Sequence, residues 1–129
     1  MATIETISDY LSASPLIVSF AAGIKIKSIE EKLGKGSRVI RVMPNTPMVM
    51  GRGMSAMSLG SAATSNDQNW VKEFLSKAGE VIVIDESLQD AVTATSGSGP
   101  AYYFAFTEAV VGAARRLGIS QEDAVTLAS

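Results

Sequence analysis

Two residue types that carry much of enzyme chemistry are missing from this 129-residue chain, which has no cysteine and no histidine. Without cysteine there is no disulfide and no thiolate nucleophile or metal ligand. Without histidine there is no Ser-His-Asp triad, no imidazole acid or base and no imidazole-bound metal. Catalysis by such a chain has to rest on a cofactor or on holding a substrate in place. Excess charge is scarce too: 11 basic against 13 acidic residues leave a net charge of −2. Nucleic acid calls for a basic face, and an anionic membrane surface calls for a polybasic run; neither is here. No apolar run approaches the roughly eighteen residues of a membrane span. The stretch Met1 to Ile7 has neither the basic start nor the apolar centre of a secretory signal. The expectation is a cytoplasmic protein with no metal, no nucleic-acid partner and no membrane.

What is present is a 47% hydrophobic composition, enough for one core. Ile4, Ile7 and Leu11 are spaced for one face of a short helix, broken by Ser12 to Pro15. Leu16 to Ala21 is a near-continuous apolar run, as in a strand covered on both faces. Ile26, Ile29 and Leu33 then follow helical spacing, ending at Gly34 and Gly36, and Arg38 to Met43 is again a strand. These connections are short enough for parallel crossovers. Met54 to Leu59 alternates apolar and small residues and suits a strand. Ser65 with Gln68 reads as a capping box. Trp70, Val71, Phe74, Leu75 and Ala78 form the expected buried stripe of the next helix, stopped by Gly79. Val81 to Ile84 is a compact buried strand. From Asp85 onward only helices are expected. Leu88, Ala91, Val92 and Thr95 fit one helix. Tyr103, Phe106, Val110, Ala114 and Leu117 fit a second, ended by Gly118. Ser120 with Asp123 caps a third.

Two loops stand out. In Met43-Pro44-Asn45-Thr46-Pro47 the prolines fix φ and push their predecessors toward extended geometry. Asn45 and Thr46 are thereby held, side chains outward, at the carboxyl end of a strand, where open α/β sheets bind ligands. An ordinary strand-ending turn is the plain alternative. In Ser96-Gly97-Ser98-Gly99-Pro100, the glycines allow close backbone approach. Pro100 suits a helix start, with Ser98 or Gly99 as cap. Free N–H groups there favour an anion such as a carboxylate. Taken alone it reads equally as a plain helix cap. No Gly-x-Gly-x-x-Gly follows a strand: Gly51-Arg-Gly53 and Gly97-Ser-Gly99 lack the third glycine and the right flanks. Met48, Met50, Met54 and Met57 read as gap-fillers, and Arg115-Arg116 as partners of a helix end.

Taken together, the Met-Pro-Asn-Thr-Pro and Ser-Gly-Ser-Gly-Pro-Ala-Tyr blocks resemble the pyrroline-5-carboxylate reductase family. Ser19-Phe-Ala-Ala-Gly23 and Asp90-Ala-Val-Thr-Ala-Thr-Ser96 are also similar to it, so the likeness runs from about Pro15 to Gly118. The resemblance implies an α/β fold: part of a Rossmann-like dinucleotide-binding sheet over residues 1–86, then the beginning of an all-helical dimerisation domain over 87–129. It implies reduction of 1-pyrroline-5-carboxylate to L-proline with NADPH or NADH, the last step of proline biosynthesis. It also implies a homodimer or higher homo-oligomer of the full-length protein. Carried over, Ala21, Ala22, Gly23, Met43, Pro44 and Asn45 would contact the cofactor. Asn45, Thr46, Ser96, Gly97, Ser98, Gly99 and Pro100 would contact the substrate. No acid, base or nucleophile is assigned. The family's first strand and glycine-rich phosphate loop, its carboxylate-gripping motif and most of its dimerisation bundle have no counterpart here. The chain is therefore expected to be a central segment, inactive alone. Two alternatives stay open: a non-catalytic binding or dimerisation remnant of the same fold, and another small-substrate dehydrogenase of similar architecture.

Overall fold

A computed structural model of the chain describes residues 15–34 and 36–129, with Ile4 and Thr6 before them. Ile4 is helical and packs against the cluster of Ile26, Ile29 and Val39, while Ile7 and Leu11 lie outside the described residues. The elements are β1 (Leu16–Ser19), α1 (Ile26–Leu33), β2 (Arg38–Met43), a 3₁₀ turn (Thr46–Met50), β3 (Gly53–Leu59), α2 (Ser65–Ser76) and β4 (Gly79–Val83). A second 3₁₀ turn (Glu86–Leu88), α3 (Gln89–Val92), a π-helical turn (Thr93–Gly97), α4 (Gly99–Arg116) and α5 (Gln121–Ala128) follow.

The four strands form one sheet in the order β1-β2-β3-β4. β1 and β2 are parallel, as the short α1 crossover requires. β2 and β3 are antiparallel, and β3 and β4 parallel. The carboxyl ends of β1 and β2 therefore share one sheet edge with the amino end of β3. Side chains alternate across this sheet. Ile40, Val42 and Met57 meet Val71 and Leu75 of α2 on one face. Val39 meets Ile26 and Ile29 of α1 on the other. Burying each of these aliphatic side chains contributes roughly 1.5–3 kcal/mol.

Three local expectations change. The α2 cap is Thr64 with Asp67, one residue before Ser65 and Gln68. Thr64 Oγ1 accepts from the Asp67 N–H, and Asp67 accepts from the Thr64 N–H at 2.9 Å. The buried stripe of α2 is Asp67, Val71 and Leu75. Trp70 (59% exposed) and Phe74 (63%) lie one position off that stripe and stack on each other outside, with ring centroids 5.8 Å apart. In β4 only Val81 is buried, because the strand pairs with β3 alone and has an open side. Met57 fills the core as expected, whereas Met50 is exposed.

The helical run after Asp85 is broken. At the π turn, Thr93 Oγ1 donates to the Gln89 carbonyl (2.9 Å) and Thr95 Oγ1 to the Ala91 carbonyl (2.8 Å). Such wide turns leave carbonyls in need of donors, and they recur at functional positions. The chain divides into two compact units, one ending at Gly97 and the other running from Ser98 to Ser129. In the second unit α4 and α5 pack on each other, with Ala124 fully buried. Ser120 caps α5, its Oγ accepting from the Asp123 N–H at 3.1 Å.

Candidate functional site

Alternation along β2 puts Val39, Arg41 and Met43 on the face that α1 covers. The segment from Glu86 to Gly97 crosses the same face. Arg41 is 4% exposed and pairs with Glu86, Nη1 to Oε1 at 3.2 Å. Asp90, which is solvated, approaches the other guanidinium nitrogen at 3.9 Å. Gln89 is fully buried over β3; its Nε2 donates to Ser58 Oγ at 2.9 Å and to the Ala56 carbonyl at 3.4 Å. Its Oε1 meets no donor among the described residues.

This path delivers Ser96 and Gly97 to the end of β2. Asn45 leaves β2 in extended conformation and turns its amide inward, not outward as the proline spacing suggests. Its Oδ1 accepts from the Met54 N–H at 2.8 Å, and its Nδ2 donates to the Ser96 carbonyl at 3.1 Å. One side chain thus ties together the end of β2, the start of β3 and the π turn. A primary amide has two N–H donors and two lone pairs, so one of each is left over here. Gly97 lies against Met43: a Cβ on it would come within 2.8 Å of Met43 Cε. A side chain at this position would have to displace the terminal methyl of Met43. Pro44 is half-buried and Thr46 is exposed at the start of its 3₁₀ turn.

The neighbouring strand end carries Ala21, Ala22 and Gly23, all exposed. Gly23 adopts φ of +73° with open space around its Cα, which leaves bare backbone uncovered there. The turn is loosely held from within. Ile24 N–H reaches the Ala21 carbonyl at 3.4 Å, and Ala21 N–H reaches Ser19 Oγ at 3.4 Å. Below it lies a cavity of about 480 Å³, lined by Gly23, Lys25, Arg41, Asp85, Glu86 and Asp90, among others. Asp85 accepts from the Ser87 N–H at 2.8 Å, and its hydrogen bonds with Ser87 hold its carboxyl below the usual range.

Ala21 to Gly23, Met43 to Thr46, Ser96 and Gly97 belong to the first unit, and the sheet brings the last two groups together. Ser98, Gly99 and Pro100 open the second unit. Ser98 precedes α4 without a side-chain cap, and its carbonyl accepts from Ala101 N–H at 3.0 Å. Arg41, Glu86 and Gln89 were not singled out by the sequence reading. The available signal was an arginine set in the apolar strand Val39-Ile40-Arg41-Val42, since a buried charge demands a partner. Among the described residues no cluster of carboxylates could hold a metal ion, and no helix is long and apolar enough to cross a membrane.

Residues 86–129 match the sequence model of a family described as pyrroline-5-carboxylate reductase dimerisation. The chain is 47% identical over 120 residues to the pyrroline-5-carboxylate reductase of Corynebacterium melassecola, covering 93% of this chain and 44% of that one. It is 43% identical over 119 residues to the Pisum sativum enzyme, covering 92% and 43%. Its fold is similar to a pyrroline-5-carboxylate reductase structure from Coxiella burnetii (TM-score 0.87, 35% identity, 98% of this chain and 48% of that one). It is also similar to the Plasmodium falciparum pyrroline carboxylate reductase solved with NADP bound (TM-score 0.92, 32% identity, 98% and 51%). The chain spans about half the length of these relatives. The α/β sheet and the helices after it are thus a Rossmann-like portion and the start of a helical portion of that architecture. By sequence and fold, this chain belongs to the pyrroline-5-carboxylate reductase family.

Proposed function

We propose that this chain is part of an oxidoreductase that reduces 1-pyrroline-5-carboxylate to L-proline with NADPH or NADH. The observation that carries the reading is the Asn45 bridge, which joins the Met-Pro-Asn-Thr-Pro corner to Ser96 of the Ser-Gly-Ser-Gly-Pro block. The residues suit a nicotinamide cofactor. Ala21, Ala22 and Gly23 offer uncovered backbone at one strand end, and Met43, Pro44 and Asn45 stand at the adjacent one. In open α/β sheets dinucleotides lie along such an edge. The bound cofactor would supply the hydride; a protonated cyclic imine is already electrophilic, so orientation is the protein's main task. The spare N–H of Asn45, the Thr46 hydroxyl and the Ser96-Gly97 backbone would orient the ring. Ser98, Gly99 and Pro100 are assigned to substrate contact on the family resemblance.

The same reading divides the chain into a cofactor portion over 1–86 and a dimerisation portion over 87–129, working as a homo-oligomer in proline biosynthesis in the cytoplasm. Asn45→Ala in the intact protein should lower the rate of pyrroline-5-carboxylate-dependent NADPH oxidation by about tenfold or more with the fold retained, because small misplacements near the reacting atoms are costly. An unchanged rate removes Asn45 from the site. Absence of turnover in the wild type would favour the alternative, a non-catalytic dimerisation remnant of this fold.

A further inference from the structure

Helix α1 starts directly after the Ala21–Gly23 turn, yet its own sequence gives it no cap. Lys25 holds the N-cap position with no side-chain hydrogen bond, and no acidic residue lies in the first turn. A helix start leaves several N–H groups without partners and carries a partial positive charge. Here the missing cap comes from 60 residues away: Glu86 Oε1 accepts from the Ile26 N–H at 2.7 Å. The same oxygen accepts from Arg41 Nη1 at 3.2 Å. The 2.7 Å bond from Ile26 to the carboxylate is much shorter than the two 3.4 Å bonds inside the turn. The buried guanidinium in turn anchors Glu86 to the middle of β2.

We propose that Glu86 is a positioning residue for the cofactor site: it caps α1 from across the sheet face and so fixes the Ala21–Gly23 turn. The inference rests on the proposed nicotinamide site. Lys25, Asp85 and Asp90 line the same cavity, but Lys25 makes no side-chain cap, Asp85 bonds Ser87 and Asp90 faces Arg41. Glu86 is also the first residue matched by the dimerisation family model, so the segment that leads toward the helices itself holds the cofactor turn in place.

The test, made in the intact protein, compares Glu86→Ala, Glu86→Gln and the double variant Lys25→Ser/Glu86→Ala. Amide hydrogen exchange at residues 21–26 and titration with NADPH are the first readouts, followed by KM for NADPH against kcat. Glu86→Ala should speed exchange across the turn and weaken NADPH binding about fivefold, the size of one lost cap. KM should rise and kcat should stay. Glu86→Gln keeps an oxygen for Ile26 and should restore most of the binding. Lys25→Ser supplies a local cap and should do the same. Should Glu86→Ala not fold, Glu86→Asp withdraws the acceptor by one methylene and gives the same reading. Unchanged exchange at residues 21–26 in Glu86→Ala, or no rescue by either capping variant, overturns the proposal. Wild-type protein that binds no NADPH, yet shows the exchange pattern, overturns the nicotinamide reading and leaves the capping role standing.

Discussion

The middle of the sheet and helix α4 treat their apolar residues in opposite ways. In β2 and β3, Val39, Ile40, Val42, Ala56 and Met57 are all sealed from solvent, and the two helices that cover them are also anchored by polar ties. In α4, Tyr102, Tyr103, Phe104 and Phe106 are all exposed; Tyr103 is 75% exposed. Ala124 is the one fully buried hydrophobic residue of the helical unit. The sheet satisfies its side chains within one chain. A helix apolar on most of its circumference belongs to an interior, and contiguous apolar surface of this kind marks an association face. The family description of residues 86–129 as a dimerisation segment accords with that contrast.

The largest effect should come from opening the sheet core. Met57 is fully buried between Val42, Val71 and Leu75. Met57→Ala should cost about 2–5 kcal/mol, the range for large-to-small changes in a closed core. Urea unfolding at neutral pH checks this. A loss below about 1 kcal/mol would mean that the core relaxes around the gap, and the contrast with α4 would weaken.

A smaller effect should appear at the α2 cap. The Thr64 N–H and hydroxyl hydrogen bonds hold the Asp67 carboxyl below the usual range, and Arg38, at 2.7 Å, adds to this. A carboxyl lowered by folding stabilises the native state above its unfolded pKa. That stability is lost as pH falls through the lower folded value. Asp67→Asn should therefore cost about 1 kcal/mol at pH 7, as for a lost cap, and progressively less below about pH 4. Urea midpoints for both proteins at several pH values give the comparison. A gap independent of pH would show that charge has no part in the cap.

Much of this was readable from periodicity alone. The strand Arg38–Met43 and the helix Ile26–Leu33 emerge with the expected bounds, because an apolar run and a helical stripe each have one good solution. Errors came where neighbours one residue apart compete. Thr64 and Ser65 are both capping types, and only the position of Asp67 decides between them. Trp70 and Phe74 are as apolar as Val71 and Leu75, but sit a quarter-turn away from the sheet. Of the site, the chemistry of the two loops was visible while their joining was not. Asn45 reaches Ser96 across 51 residues, and Glu86 reaches Ile26 across 60. No local pattern encodes a hydrogen bond between residues so far apart.

The smallest effect on folding should come from α4, and it separates the two regions most cleanly. Trp70 is the sole tryptophan and lies on α2, so its fluorescence follows the sheet unit alone. Phe106 is 70% exposed. Phe106→Asp places a charge on the proposed association face without opening a core. The urea midpoint read by Trp70 in dilute monomer should stay within about 0.5 kcal/mol, as for surface changes away from structural features. Self-association measured by sedimentation should weaken about tenfold or more, because aromatic anchors dominate such interfaces. A shifted Trp70 curve in dilute monomer would show that the sheet leans on α4 for its stability. Unchanged sedimentation would place the association face elsewhere and leave the exposed aromatics of α4 without that role.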